Sequence, residues 1–138
     1  MELKGNQISD LGASYLGKAL AHNGRLKKLT LSYNQIGTKG SIDLAKGVAI
    51  NSGLKVLDLS SNQIGTAGTE HWFTLALRKN KTLKELILSQ NHIGNEGIGN
   101  VISAFIPTVV AIAMSNDYES QSVGNTEEIN TTQFSTWR

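Results

Sequence analysis

The chain has 138 residues, of which 39% are hydrophobic and 17% are charged, and its formal net charge is +2. This length and composition suit one compact domain and exclude an intrinsically disordered chain. The absence of cysteine excludes a thiol nucleophile, a thiolate metal site, an iron–sulfur cluster and a disulfide scaffold.

Charge is distributed unevenly along the chain. Residues 1–100 carry 12 basic and 7 acidic side chains, whereas residues 101–138 carry 1 basic and 4 acidic side chains. The basic residues are scattered, with Lys27–Lys28 and Arg78–Lys79 as the only adjacent pairs. Nucleic-acid binders usually cluster their cations, so we expect no nucleic-acid partner.

The N-terminal residues lack the apolar region of a signal peptide. The longest apolar stretch, Val109–Met114, is far shorter than a membrane span. Together with the absence of cysteine, these features predict a cytoplasmic protein with no membrane partner.

The dominant feature is a repeat that returns after nearly equal intervals, marked by Asn6, Asn34, Asn62 and Asn91. Three of these asparagines close the pattern L-x-x-L-x-L-x-x-N, at Leu26–Asn34, Leu54–Asn62 and Leu83–Asn91. The alternation of leucine with polar residues predicts a short strand with one buried face. The first unit is truncated, because only Met1 and Leu3 precede its asparagine.

An isoleucine stands two positions after each asparagine. In three units a glycine pair and a stretch with the apolar spacing of a helix come next. The four asparagines lie where a strand turns into a helix, where an amide can both donate to and accept from backbone groups. We therefore predict that Asn6, Asn34, Asn62 and Asn91 form a structural ladder. The glycines are predicted to allow a tight turn with positive φ and a close approach of successive units.

The third unit is one residue longer than the second between Trp72 and Leu77. A bulge in its outer helix is predicted to absorb the extra residue, because the strands must keep their register. Trp72 takes the position of a leucine, so we expect it to pack in the core rather than to bind a ligand.

These motifs resemble leucine-rich repeats of the ribonuclease-inhibitor-like class, and their spacing is similar to that of NOD-like receptors and Ran GTPase-activating proteins. The resemblance covers residues 1–117. It implies an α/β solenoid, a right-handed superhelix of strand–helix units with a short parallel sheet on the concave face and helices outside. Four to five repeats are expected.

The end of the array is predicted to be degenerate. Pro107 must end the fourth helix, and Val109, Ile112, Met114 and Asp117 keep the spacing of the motif after a slightly shortened unit. We read them as a fifth strand that closes the sheet. Residues 118–138 are polar and predict a flexible tail, with the alternative that Phe134 and Trp137 fold back onto the solenoid.

The N-terminal end has no visible cap, although terminal units of solenoids normally need one for solubility. This suggests either a fragment of a larger protein or a chain that associates with itself edge to edge.

No catalytic or metal-binding motif rises above background in the sequence, and His22, His71 and His92 lie at unrelated positions of the repeat. We expect no enzymatic activity, no metal and no cofactor.

The residues that flank the buried leucines point to the open face of the sheet. They form two chemically variable columns, with Lys28, Val56 and Glu85 in one and Thr30, Asp58 and Ile87 in the other. We predict that this concave face binds a protein or peptide, within a sensor or scaffold. The alternative, implied by the resemblance to Ran activators, is a regulator of a small GTPase acting through the strand-to-helix loops.

Overall fold

The structure is a computed structural model that describes residues 1–97 and 111–113 of the chain. Helices and short strands alternate along it. The elements are α1 (Asp10–His22), β1 (Lys28–Thr30), α2 (Thr38–Ile50), β2 (Val56–Asp58), α3 (Gly65–His71), a π-helical turn (Trp72–Ala76), α4 (Leu77–Lys79), β3 (Glu85–Ile87) and β4 (Ala111–Ala113). This order agrees with the predicted strand–helix units.

The strands form one parallel sheet in the order β1-β2-β3-β4. Leu29 pairs with Leu57, Leu57 with Leu86, and Leu86 with Ile112. The last pairing confirms the strand that was predicted one shortened unit after the third motif. Val109, Met114, Asp117, Pro107 and the predicted tail of residues 118–138 lie outside the described residues.

The truncated first unit adds an edge to this sheet. Glu2 forms a parallel bridge with Thr30, and the Leu3 N–H donates to the Thr30 carbonyl oxygen at 2.8 Å. Met1 and Leu3 therefore take the last two of the three leucine positions of the truncated motif, as predicted.

The core lies between the sheet and the helices, where the leucines of each motif point. Between residues 31 and 54, Leu31, Ile36, Leu44 and Leu54 have no exposed surface. Their counterparts one unit earlier, Leu3, Ile8, Leu16 and Leu26, are only partly buried. The difference shows that a unit cannot bury its own apolar residues alone, and that the preceding unit covers one side of them.

The bulge predicted in the third helix is confirmed as the π-helical turn Trp72–Ala76. A π-turn holds one residue more than an α-turn, so Trp72 at its start and Leu77 just after its end both stay fully buried. The indole Nε1 of Trp72 donates to the buried hydroxyl of Ser41 at 2.7 Å. This burial confirms that Trp72 packs in the core.

Deleting the exposed residue Thr74 from this turn should change the free energy of unfolding by less than about 1 kcal/mol, because the segment then becomes a regular helix with the spacing of α2. Deleting the exposed Lys46 at the equivalent place in α2 should cost more than about 3 kcal/mol, since Gly47 and Val48 would rotate away from their neighbours. Urea unfolding followed by circular dichroism measures both. Equal losses would contradict the assignment of the extra residue to this turn.

Three of the motif asparagines are buried and bond to two units at once. The Asn62 amide donates to its own Leu59 and Ser60 carbonyls and to the Leu31 carbonyl of the preceding unit, at 2.9 to 3.2 Å. Its Oδ1 accepts from the Ile36 N–H at 3.1 Å. Asn34 and Asn91 repeat this pattern. Asn6, by contrast, is exposed and donates to the Lys4 carbonyl oxygen.

A second set of asparagines joins the units at the opposite ends of the helices. The amide of Asn51 donates to the carbonyls of Leu20 and Asn23, and that of Asn80 to the carbonyls of Val48 and Asn51, all at 2.7 to 2.9 Å. The Oδ1 atoms accept from the following connector. The backbone of each connector is therefore tied to the unit before it.

The turn prediction for the glycine pairs holds only in part. Gly65 and Gly94 have positive φ, but Gly37, at the equivalent position, does not. The residue before the motif asparagine has positive φ in every described unit, at Gly5, Tyr33, Ser61 and Gln90. Three of these four are not glycine, so the left-handed turn was not visible in the sequence.

Candidate interaction surface

The sheet register places the two predicted columns side by side on the face of the sheet opposite the buried leucines. Val56 pairs with Lys28 and Glu85, and Asp58 pairs with Thr30 and Ile87. Successive members of a column are about 4.8 Å apart, the spacing of hydrogen-bonded strands. Lys28 is exposed and the other five are half-buried against their lateral neighbours.

Asp58 lies at the centre of this face with a fixed orientation. Its Oδ1 accepts hydrogen bonds from both the backbone N–H and the hydroxyl of Ser60, at 2.9 and 2.7 Å. Both donors belong to Ser60, two residues further along the chain, and neither donor carries a charge. It is therefore a pre-oriented acceptor that needs little reordering to bind a donor.

Sequence reasoning missed the rim where the strands turn into the helices. We call the residues Tyr33, Ser61 and Gln90 the turn rim. Tyr33 is 57% exposed, and the Lys4 ammonium lies 4.7 Å from the centre of its ring. The Ser61 hydroxyl donates to Gln90 Oε1 at 2.6 Å. The only signal in the sequence was Gly5, the one glycine at this position of the repeat.

The outer face carries a shallow groove between α1 and α2. The backbones approach so closely there that a Cβ atom on Gly17 would lie 2.5 Å from the Asp43 carbonyl oxygen. Lys46 donates to the Asp43 carboxylate at 2.9 Å, and this hydrogen bond holds the pKa of Asp43 below its usual value. Ile50 at one end of the groove is 66% exposed.

The structure corrects the view that the basic residues are scattered. Stacking of the units collects eight of the thirteen Lys and Arg residues in and beside the helix-to-strand connectors, residues 23–27, 51–55 and 80–84. The strand-to-helix connectors of the next three units, residues 31–37, 59–64 and 88–93, contain no Lys, Arg, Asp or Glu, whereas that of the first unit contains Lys4.

Among residues 1–97 and 111–113 no group of His, Asp and Glu side chains could hold a metal ion. His22 ends α1, the Nδ1 of His71 lies 3.0 Å from the Ala67 carbonyl oxygen, and His92 is exposed in a turn. Within the same part of the chain no helix has the length and apolar character to cross a bilayer.

Comparisons with known proteins agree with this architecture. A family model described as "Leucine Rich repeat" matches residues 2–17, 22–45, 51–70 and 79–100. A solved structure of the actin-binding site 2 of leiomodin-1 superposes with a TM-score of 0.69 at 24% identity, over 82% of this chain and 69% of that one. No curated protein matches the sequence. Stacked strand–helix units and a family model covering more than half of the sequence place this chain in the leucine-rich-repeat family.

Proposed function

We propose that the chain is a protein–protein interaction module that binds a protein or peptide through its concave face. The observation that carries this proposal is the contrast between the two columns and their surroundings. Lys28, Val56 and Glu85 differ in charge and size along one column, although the leucines between the columns are constant. This variation on a fixed framework gives the face a chemical pattern that a specific partner can recognise.

The size of the sheet requires a partner that also contacts its rims. Five parallel segments about 4.8 Å apart and three residues long span a flat area of roughly 200 Å². A stable interface needs about 800 Å² from each side. The turn rim is the adjacent surface with an exposed aromatic residue, Tyr33, and aromatic residues are enriched among those that dominate binding energy.

The partner must offer groups that complement the two columns. Asp58 and Glu85 call for donors such as Arg or Lys, and Lys28 calls for a carboxylate. Val56 and Ile87 lie between them and suit an apolar side chain.

The long unit with an outer helix supports placing the array in the ribonuclease-inhibitor-like class. A likeness to a leiomodin-1 segment titled as an actin-binding site supports a protein as the partner, without naming it.

The triple substitution Lys28→Ala/Asp58→Arg/Glu85→Ala should abolish binding of a specific partner. Affinity purification with the whole chain identifies the partner, and calorimetry with the purified partner measures the loss. We expect the dissociation constant to rise at least about tenfold, because two charges of the face are removed and the central one is reversed.

The matched control is Lys18→Ala/Glu70→Arg/Glu96→Ala, which makes the same changes of charge at exposed residues outside the sheet. Both triple variants should melt close to the wild-type temperature and only the first should lose the partner. A partner that binds the first variant with wild-type affinity would disprove concave-face binding.

A further inference from the structure

Three lysines occupy the same position in consecutive units and are stacked one above another. The N–H of Lys55 donates to the carbonyl oxygen of Lys27, and the N–H of Lys84 donates to that of Lys55, both at 2.8 Å. Lys27 and Lys84 are exposed and Lys55 is half-buried. The backbones of the three lysines therefore lie side by side, one hydrogen-bonded strand spacing apart, and the Lys27 ammonium donates to the Gly24 carbonyl oxygen of its own connector at 3.2 Å.

Further cations surround this column. Arg25 and Lys28 belong to the same connector region as Lys27, and Arg78, Lys79 and Lys81 lead into Lys84. We call these eight residues the basic edge. Glu85 is the one acidic residue within two positions of the three connectors.

No carboxylate of the described residues forms an ion pair with the basic edge. The one ion pair within residues 1–97 and 111–113 joins Lys46 to Asp43 on the outer helix, away from the connectors. Like charges placed directly beside each other destabilise a fold. A column of three lysines therefore carries a mutual repulsion that an external anion would relieve.

We propose that the basic edge binds an acidic segment of a partner protein. Two features favour a protein over a nucleic acid. The connectors contain no Phe, Tyr or Trp on which bases could stack. Ile50, the last residue of α2 and 66% exposed, borders the middle connector and provides the apolar contact that a protein interface uses.

The basic edge continues the concave face, because Lys28 belongs to both. The inference rests on the proposed role of the chain as a protein-binding module, but it does not depend on the concave face as the binding surface. It also supplies the contact area that the small sheet lacks. A partner would lie across the sheet with an acidic segment extending over the connectors.

A fluorescein-labelled dodecapeptide of Glu and Asp with two Leu residues tests this assignment by fluorescence anisotropy with the whole chain. Wild type should bind the peptide, and its affinity should fall as salt screens the charges. The variant Lys27→Gln/Lys55→Gln/Lys84→Gln should bind it about tenfold more weakly or worse. If circular dichroism shows that the triple variant is unfolded, the double variant Lys27→Gln/Lys84→Gln takes its place, since both residues are exposed.

The control Lys18→Gln/Lys39→Gln/Lys46→Gln removes the same charge from the helices and should stay within about twofold of wild type. Absence of peptide binding by wild type, or equal losses in both triple variants, would overturn the proposal. Equal or tighter binding of an oligothymidine of the same net charge, or of phosphatidylserine vesicles, would also overturn it. The peptide assay substitutes Lys27, Lys55 and Lys84, none of which is changed in the partner assay, so the two proposals can fail separately.

Discussion

Gly47→Ala is expected to destabilise the chain by more than about 3 kcal/mol, although alanine in a helix is ordinarily favoured over glycine by about 1 kcal/mol. A Cβ atom at Gly47 would overlap the carbonyl oxygen, the carbonyl carbon and the Cα of Gly17 in the neighbouring helix. All three are backbone atoms, so no side chain can move aside. Relief requires α1 and α2 to separate, which exposes the buried residues between them.

Gly24→Ala is the matched control, because its nearest neighbour would be the Ser52 hydroxyl at 3.6 Å. Urea unfolding monitored by circular dichroism in the helix band compares the two variants with wild type. A Gly47→Ala variant as stable as the control would contradict the close approach of the two helices.

The second large effect is expected for Asn62→Ala, which should cost more than about 3 kcal/mol. The substitution leaves the buried N–H of Ile36 without its acceptor. It also removes one of the hydrogen bonds to each of the carbonyls of Leu31, Leu59 and Ser60, which keep their bonds from Asn34, Asn91 and Tyr33. A buried N–H without a partner costs about 1 to 3 kcal/mol, and each further lost hydrogen bond about 0.5 to 1.5 kcal/mol. Thermal and chemical unfolding both measure the loss.

Asn6→Ala is the control for this ladder. Asn6 has the same position in its unit but is exposed, and its one side-chain bond is to the Lys4 carbonyl. Its replacement should change stability by less than about 0.5 kcal/mol. Similar losses in the two variants would show that the buried amide bonds do not stabilise the array.

The sheet was predictable because its geometry depends only on position within the repeat. A shift by one unit carries Lys28 to Val56, and a shift by the next unit carries Asp58 to Ile87, as the pairing confirms. The same shift by one repeat unit predicted the position of β4 and of the extra residue in the third helix. A regular spacing of leucines constrains strand register tightly, since a slip of one position would turn every leucine to solvent.

Two kinds of feature were not predictable from the sequence: local backbone conformation and distances between units. The left-handed turn at Tyr33 and Ser61 has no glycine to mark it. The close approach of Gly17 and Gly47 involves glycines at different positions of the repeat. The basic edge escaped notice because Lys27, Lys55 and Lys84 are far apart in sequence and meet only when the units stack.

The central claim is that each unit is held in place by its neighbours rather than by its own contacts. Native-state hydrogen exchange on Asn62→Ala tests it most directly. The N–H of Ile36 in the preceding unit bonds to Asn62 Oδ1, whereas the N–H of Leu59 bonds to Ile87 in the following unit.

The account predicts that the substitution accelerates exchange in both neighbours, from Leu29 to Ile36 and at Leu86 to Leu88, along with its own unit. Faster exchange confined to residues 54–65, with the neighbours protected as in wild type, would contradict it.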